Sequence, residues 1–291
     1  MFLLSQQKSV NVLFSLRVAG LAVLLLGLQG CAVSRIGDNL PYGVLNHTDI
    51  TLVGEGMPTY LLTIDGLIEN WPDSESLLQS GASLYSAYAG LFVDDPQRAS
   101  QLSSRALDYA LRAACASDRK LCDIRRMPMV DFEELLARQK RKQVPVLFTL
   151  GTTWAGYIQL NSSDWNAVAD LGRVDALMQR VVALDEGYEH GQAHMYLGVL
   201  NSILPESLGG KPEVARQHFE RAVELSNGRN LMAQTLFAER YARLVFDQAL
   251  HDSLLDEVLA ANPIEHGLTL QNTVAQRDAR VLRNGSADYF E

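Results

Sequence analysis

The chain predicts an all-α fold on three observations. Apolar residues recur at spacings of three and four in long segments from about residue 58 onward. The alternating apolar-polar runs that mark strands are missing. Pro, Gly, Asn and Asp punctuate the segments at intervals that fit helix-turn-helix hairpins.

The elements follow in order. Trp71-Pro72-Asp73-Ser74 reads as a turn and N-cap before a helix carrying Leu77, Leu78, Ala82, Tyr85 and Ala89. Asp94-Asp95-Pro96 opens the next, with Ala99, Leu102, Ala106, Tyr109 and Ala110 on its inner face. A second hairpin runs from Val146 through Trp154, Tyr157 and Ile158, turns near 161–164, and returns through Val174, Leu177, Met178, Val181 and Leu184. The third joins His194, Leu197, Gly198 and Asn201 to Ala215, Phe219 and Ala222. The fourth runs from Leu231 through Phe237, Tyr241 and Leu244 to Leu250, Leu254, Leu255, Val258 and Leu259. A last helix, Thr269 to Leu282, caps the array. Each hairpin buries its apolar face only by stacking on a neighbour, so about four of them predict a compact superhelix with a concave surface or central channel. Leu197-Gly198 and the Ala215-Phe219-Ala222 ladder sit where the tetratricopeptide pattern places such residues. Seventeen positions separate Gly198 from Ala215, whereas that pattern expects about twelve, so the repeats are degenerate.

The N-terminus reads as an export signal over 1–30. Lys8 and Arg17 precede an apolar run from Val18 to Leu28, too short to span a bilayer. Leu28-Gln29-Gly30-Cys31 is a bacterial lipobox, which makes Cys31 the lipidated first residue of the mature chain. Several acyl chains anchor a protein where a single one is marginal. Ala32 follows, so by resemblance to sorted bacterial lipoproteins the expected anchor is the outer membrane, with the rest at its periplasmic face. Residues 31–56, rich in Gly, Asn, Asp and Thr, read as a flexible tether, and 57–291 as the helical body.

The signal contributes two cations and no acid, leaving 23 Lys plus Arg against 34 Asp plus Glu and a formal −11 beyond residue 30. Nucleic acid and anionic lipid surfaces are poor partners for that charge. Cys115 and Cys122 are seven apart. On one continuous helix their Cα atoms would lie roughly 10.5 Å apart, too far for a disulfide. They form one only if the chain turns between them, at 116–118; otherwise they remain packed thiols.

Catalytic patterns are weak, and no enzyme is expected. His190 and His194 share a helical spacing that suits metal ligands, but Gly191 stands where a zincin places its glutamate. Glu133-Glu134 and Asp185-Glu186 are adjacent rather than facing. There is no nucleophile elbow, phosphate loop or dinucleotide fingerprint, and neither metal nor cofactor is expected. The best binding candidate is Gly209-Gly210-Lys211-Pro212, whose glycines permit close approach and whose helix N-terminus with Lys211 suits an anionic group. Trp154, Tyr157, Trp165 and Tyr196 are candidates to line an apolar passage, and Arg240 and Asp247 either pair or line the same passage.

Four stretches carry a family resemblance. They are Asp65-Gly66-Leu67-Ile68-Glu69-Asn70-Trp71-Pro72-Asp73, Leu84-Tyr85-Ser86-Ala87-Tyr88-Ala89, Leu208-Gly209-Gly210-Lys211-Pro212-Glu213, and Phe237-Ala238-Glu239-Arg240-Tyr241-Ala242 followed by Asp247. Together they resemble the T component of TRAP transporters, the tripartite ATP-independent periplasmic systems, over nearly the whole mature chain. Trp71 departs from the family, which usually has a small residue or asparagine there. The resemblance implies a periplasmic lipoprotein with four tetratricopeptide-like hairpins, a pore-like passage and a tendency to trimerise. It also implies pairing with a substrate-binding P component, and apolar or organic-acid cargo. The other reading is a general envelope scaffold that binds proteins through its groove without a small ligand.

Overall fold

The computed structural model describes residues 42–291, so the expected leader, the expected lipidation site Cys31 and the first part of the expected tether lie outside the described residues. Thirteen α-helices follow a helical turn at 42–45, with no strand among the described residues. The all-α expectation holds.

Helix α1 is Ile50–Asn70. It begins inside the stretch expected to be tether, because the Asp49 side chain accepts from the Leu52 N–H and caps it. Val53, Met57, Leu61, Ile64 and Ile68, at four- and three-residue steps, form its buried face. The first expected hairpin is α2, Glu75–Leu91, and α3, Pro96–Ser117. Asp95 caps α3 and Pro96 occupies its first turn. One carboxylate clamps these three helices together. Asp65 of α1 accepts from the Tyr85 hydroxyl of α2 and the Tyr109 hydroxyl of α3, both at 2.7 Å, and from the Arg105 guanidinium at 2.8 Å.

Helix α3 ends at Ser117 with Asp118 as its C-cap, and the chain turns through two single 3-10 turns, 119–121 and 124–126. That turn joins Cys115 to Cys122 in a disulfide. Helix α4, Met129–Ala137, follows in a stretch the hairpin pattern does not predict. It is fastened by Arg173, which stacks on Phe132 at 5.0 Å, bonds the Asp170 carboxylate, and donates to the Ile124 and Met127 carbonyls. The second hairpin is α5, Val144–Leu160, and α7, Leu171–Leu184, with a one-turn α6, Trp165–Val168, between them.

The third hairpin is α8, Gln192–Asn201, and α9, Pro212–Leu225. Its axis distance is set by Gly198: a Cβ there would lie 2.9 Å from the Phe219 ring, so only glycine lets the helices close on that ring. The fourth starts with α10, Leu231–Leu236, which passes directly into a π-helical segment, Phe237–Ala242, and returns as α11, Gln248–Ala260. The cap α12, Thr269–Asn284, runs two residues beyond its expected end, and α13, Ser286–Phe290, closes the chain.

Burial divides into two clusters. One gathers aliphatic and aromatic side chains from Val44 to Leu197, together with Leu270, with Trp154 and Phe132 wholly inside. The other runs from Met195 to Ala279 around stacked Phe219 and Phe237, whose ring centroids are 5.2 Å apart.

Candidate functional site

The glycine-lysine loop is wound on itself. Gly209 adopts φ 87°, and a Cβ on Gly210 would lie 1.7 Å from the Leu204 carbonyl oxygen. The Gly210 N–H donates to the Pro205 carbonyl and the Lys211 N–H to the Asn201 carbonyl, at 3.0 and 3.2 Å. These two amides are therefore committed to the loop. The Lys211 side chain is exposed, and its charge opposes the burial that raises the pKa of Asp175. The glycines serve geometry.

The expected passage residues do not converge. Trp154 is fully buried, donates its indole N–H to Asp170 at 3.3 Å and meets Phe132 edge-on, so it is core and lines nothing. Trp165 is at the other extreme, 84% exposed at the start of α6. Tyr157 is half-buried beneath the Arg125 guanidinium. Tyr196 packs on the Phe148 edge, and burial pushes its hydroxyl up to about 12. Arg240 pairs with its neighbour Glu239 at 3.4 Å, whereas Asp247 accepts from the Leu250 N–H as the cap of α11. None of these residues lines either of two surface recesses, one walled by Tyr42, Glu189 and His266 and the other by Lys120, Met127 and Arg138.

Three of the four adjacent carboxylates are likewise taken. Glu134 pairs with Arg138, Asp185 with Arg141, and Glu186 with Arg221. No group of three His, Cys, Asp or Glu is placed to hold a metal ion among the described residues.

Two titratable arrangements emerge that spacing does not display. The first is a histidine pair across the third hairpin. His194 Nδ1 lies 2.8 Å from His218 Nδ1, and His194 Nε2 lies 3.1 Å from Glu186, which Arg221 grips with two nitrogens at 2.8 and 2.7 Å. A carboxylate beside Nε2 requires a proton there, so neutral His194 accepts at Nδ1 and His218 donates. Burial lowers both imidazoles, His218 to about 4 with His194 adding to the effect, while the Arg221 and His194 bonds hold Glu186 down to about 2. His194 thus pairs with His218 and not with His190. The Gly198–Phe219 contact is the signal that narrows this, because that antiparallel register puts position 194 opposite about 223, roughly one and a half helical turns from 218.

The second is a recess of about 330 Å³ walled by Tyr42, Gly187, Glu189, His190, His266 and Gly267. Glu189, His190 and Gly191 form a left-handed run with φ of 47°, 58° and 73°. Two of the three carry side chains, which costs on the order of 1 kcal/mol or more at each. Tyr42 stacks on His266 with centroids 5.0 Å apart, and the Gly267 N–H donates to Asn46 at 2.6 Å. Burial raises the Glu189 pKa against the nearby His190 and His266. A second recess of about 340 Å³, walled by Lys120, Met127, Asp131, Glu134, Leu135 and Arg138, is a mixed surface groove.

Two comparisons bear on the whole chain. The model of a family described as TRAP transporter T-component matches residues 46–290, which is the entire helical body. A protein of Treponema pallidum (strain Nichols), described as uncharacterized, is 24% identical over 262 residues, covering 83% of this chain and 80% of its own.

Proposed function

The chain belongs to the TRAP transporter T-component family and is thus an accessory component of a TRAP transport system, and from that premise we propose how it acts. It is a lipoprotein, exported and acylated at Cys31, held at the periplasmic face of the envelope on the outer membrane. There it docks the substrate-binding P component of the system, and it self-associates as a homotrimer, as the family resemblance implies. The family match across 46–290 carries this reading. No helix among the described residues is long and apolar enough to cross a membrane, which is consistent with attachment through lipid.

Two experiments test it. Cys31→Ala should leave the precursor uncleaved and release the protein from the membrane fraction; normal anchoring of that variant overturns the lipid anchor. The mature protein mixed with the P component of its system should co-migrate in sedimentation velocity, where the oligomer size is read as well. Separate migration across a range of concentration and salt overturns the docking role.

The finer reading, passage of a small apolar or organic-acid ligand through a central channel, has less support within one protomer. Trp154 is core, Trp165 is outside, and Arg240 and Asp247 have local partners. That scatter favours a docking scaffold without a small ligand in the expected passage.

A further inference from the structure

We propose that the recess walled by Tyr42, Glu189, His190 and His266 is a binding site for a small organic cation, a protonated amine. Glu189 is the observation that singles it out. Its half-buried carboxyl makes no hydrogen bond or ion pair among the described residues, whereas each acidic neighbour is matched to an arginine. Asp185 meets Arg141 at 2.9 Å, Glu186 meets Arg221 at 2.7 Å, and Glu265 meets Arg229 at 3.0 Å. The chain supplies a cation to every carboxylate around the recess except the one that points at it.

Backbone geometry argues the same way. Glu189 and His190 are held in left-handed conformations that L side chains rarely adopt, and such positions persist only where the surroundings enforce them. The opposite wall is also fixed, since Tyr42 lies on His266 and Asn46 binds the Gly267 amide. The recess is thus assembled from three distant stretches, at 42–46, 187–191 and 266–267.

Its chemistry selects among ligands. A carboxyl oxygen and stacked aromatic faces attract an ammonium group, and no lysine or arginine lines the wall to compete with it. An anion would meet Glu189 unaided by any fixed positive charge. A metal ion lacks a set of three ligands among the described residues. The volume, about 330 Å³, lies at the lower end for small-molecule sites. The groups facing Glu189 are the His190 and His266 imidazoles and the Tyr42 and Tyr188 hydroxyls, with Asp185 neutralised by Arg141. Raising the pH ionises Glu189, whose carboxyl burial pushes up from the ordinary carboxylate range, so amine binding strengthens with pH. This inference rests on neither the transport role nor the lipid anchor.

Isothermal titration of the full mature chain tests it, with choline, ethanolamine and putrescine as cationic probes and succinate and zinc chloride as controls. At least one amine should saturate the site and tighten as the pH rises above the ordinary carboxylate range. Glu189→Gln should weaken it about tenfold or more, and Tyr42→Leu about threefold. Asp131→Asn, in the other recess, should leave the affinity unchanged. Circular dichroism checks that each variant folds; should Glu189→Gln fail to fold, Tyr42→Leu and the pH series decide. The proposal is overturned if no amine binds at millimolar concentration, if succinate or zinc binds and amines do not, or if Glu189→Gln binds amines like the parent.

Discussion

From Val44 to Leu197 the core is built on shape, whereas from Met195 to Ala279 it is threaded with buried amides. In the first region Trp154, Phe132, Leu147 and Leu150 are wholly enclosed, and the polar bridges between its helices run through the half-buried Asp65, which gathers Tyr85, Tyr109 and Arg105, and the half-buried Asn161, which joins Ser100 and Ser103. In the second, polar side chains bridge separate elements. Asn272 of α12 accepts from the Leu231 N–H and donates to the Arg229 and Pro263 carbonyls. Gln276 reaches the Val258 and Ala261 carbonyls, and Gln271 reaches Asn230. The helices explain the contrast. Seventeen to twenty-two residues give α2, α3 and α5 long apolar faces that register by interdigitation, while α10 has six residues before its π segment. A face that short specifies little, so directional hydrogen bonds set its register.

The contrast can be broken at either end. Trp154→Ala should give the largest loss, about 3–5 kcal/mol, because it leaves a cavity in the shape-built core and strips Asp170 of one of its two side-chain donors. Chemical denaturation measures it, and a loss below about 2 kcal/mol would mean that core is less close-packed than described. Asn272→Ala removes far less apolar contact, yet should cost about 3 kcal/mol, since it orphans three backbone groups at a fully buried site. An effect near zero would show that the bridging amides are incidental.

The histidine pair gives a third, pH-dependent test. His218 has an ordinary value of 6.5 and is lowered to about 4 in the folded chain. Between those values the unfolded state binds a proton that the folded state refuses, so stability falls as pH drops from about 6.5 to about 4. His218→Gln should flatten that window in a series of thermal melts, and an unchanged slope would remove the pair from the account. The smallest effect belongs to Lys211→Ala. Its exposed side chain and committed amide predict a stability change within about 0.5 kcal/mol, read by chemical denaturation.

Much of the fold was legible in the order of residues. The Asp95 cap, the Pro96 and Pro212 first-turn positions and the four hairpins stand close to where spacing puts them, whereas Asp247, expected to pair with Arg240 or line a passage, caps α11 instead. The start of α1 was missed because 31–56 has no sustained apolar period, although Asp49 is a cap signal in hindsight. Helix α4 was missed because it is a short element fastened from outside by Arg173. The Phe237–Ala242 motif carried the resemblance, but nothing in its pattern distinguishes a π segment from an α-helix. The candidate site was the least legible part. Aromatics at helical spacing look alike whether they end in a core, as Trp154 does, or outside it, as Trp165 does.

The sequence by itself determined the all-α class, the hairpin boundaries and the family, because caps, turns and apolar periodicity act over a few residues and leave a local trace. Only the tertiary structure decided that Asp65 gathers two tyrosines and an arginine, that His194 meets His218, and that Glu189 faces Tyr42 and His266 without a cation. Those groups lie between 20 and 147 residues apart in the chain. Their meeting depends on how helices pack and on a left-handed turn at 189–191, and neither is written in the spacing of any one segment.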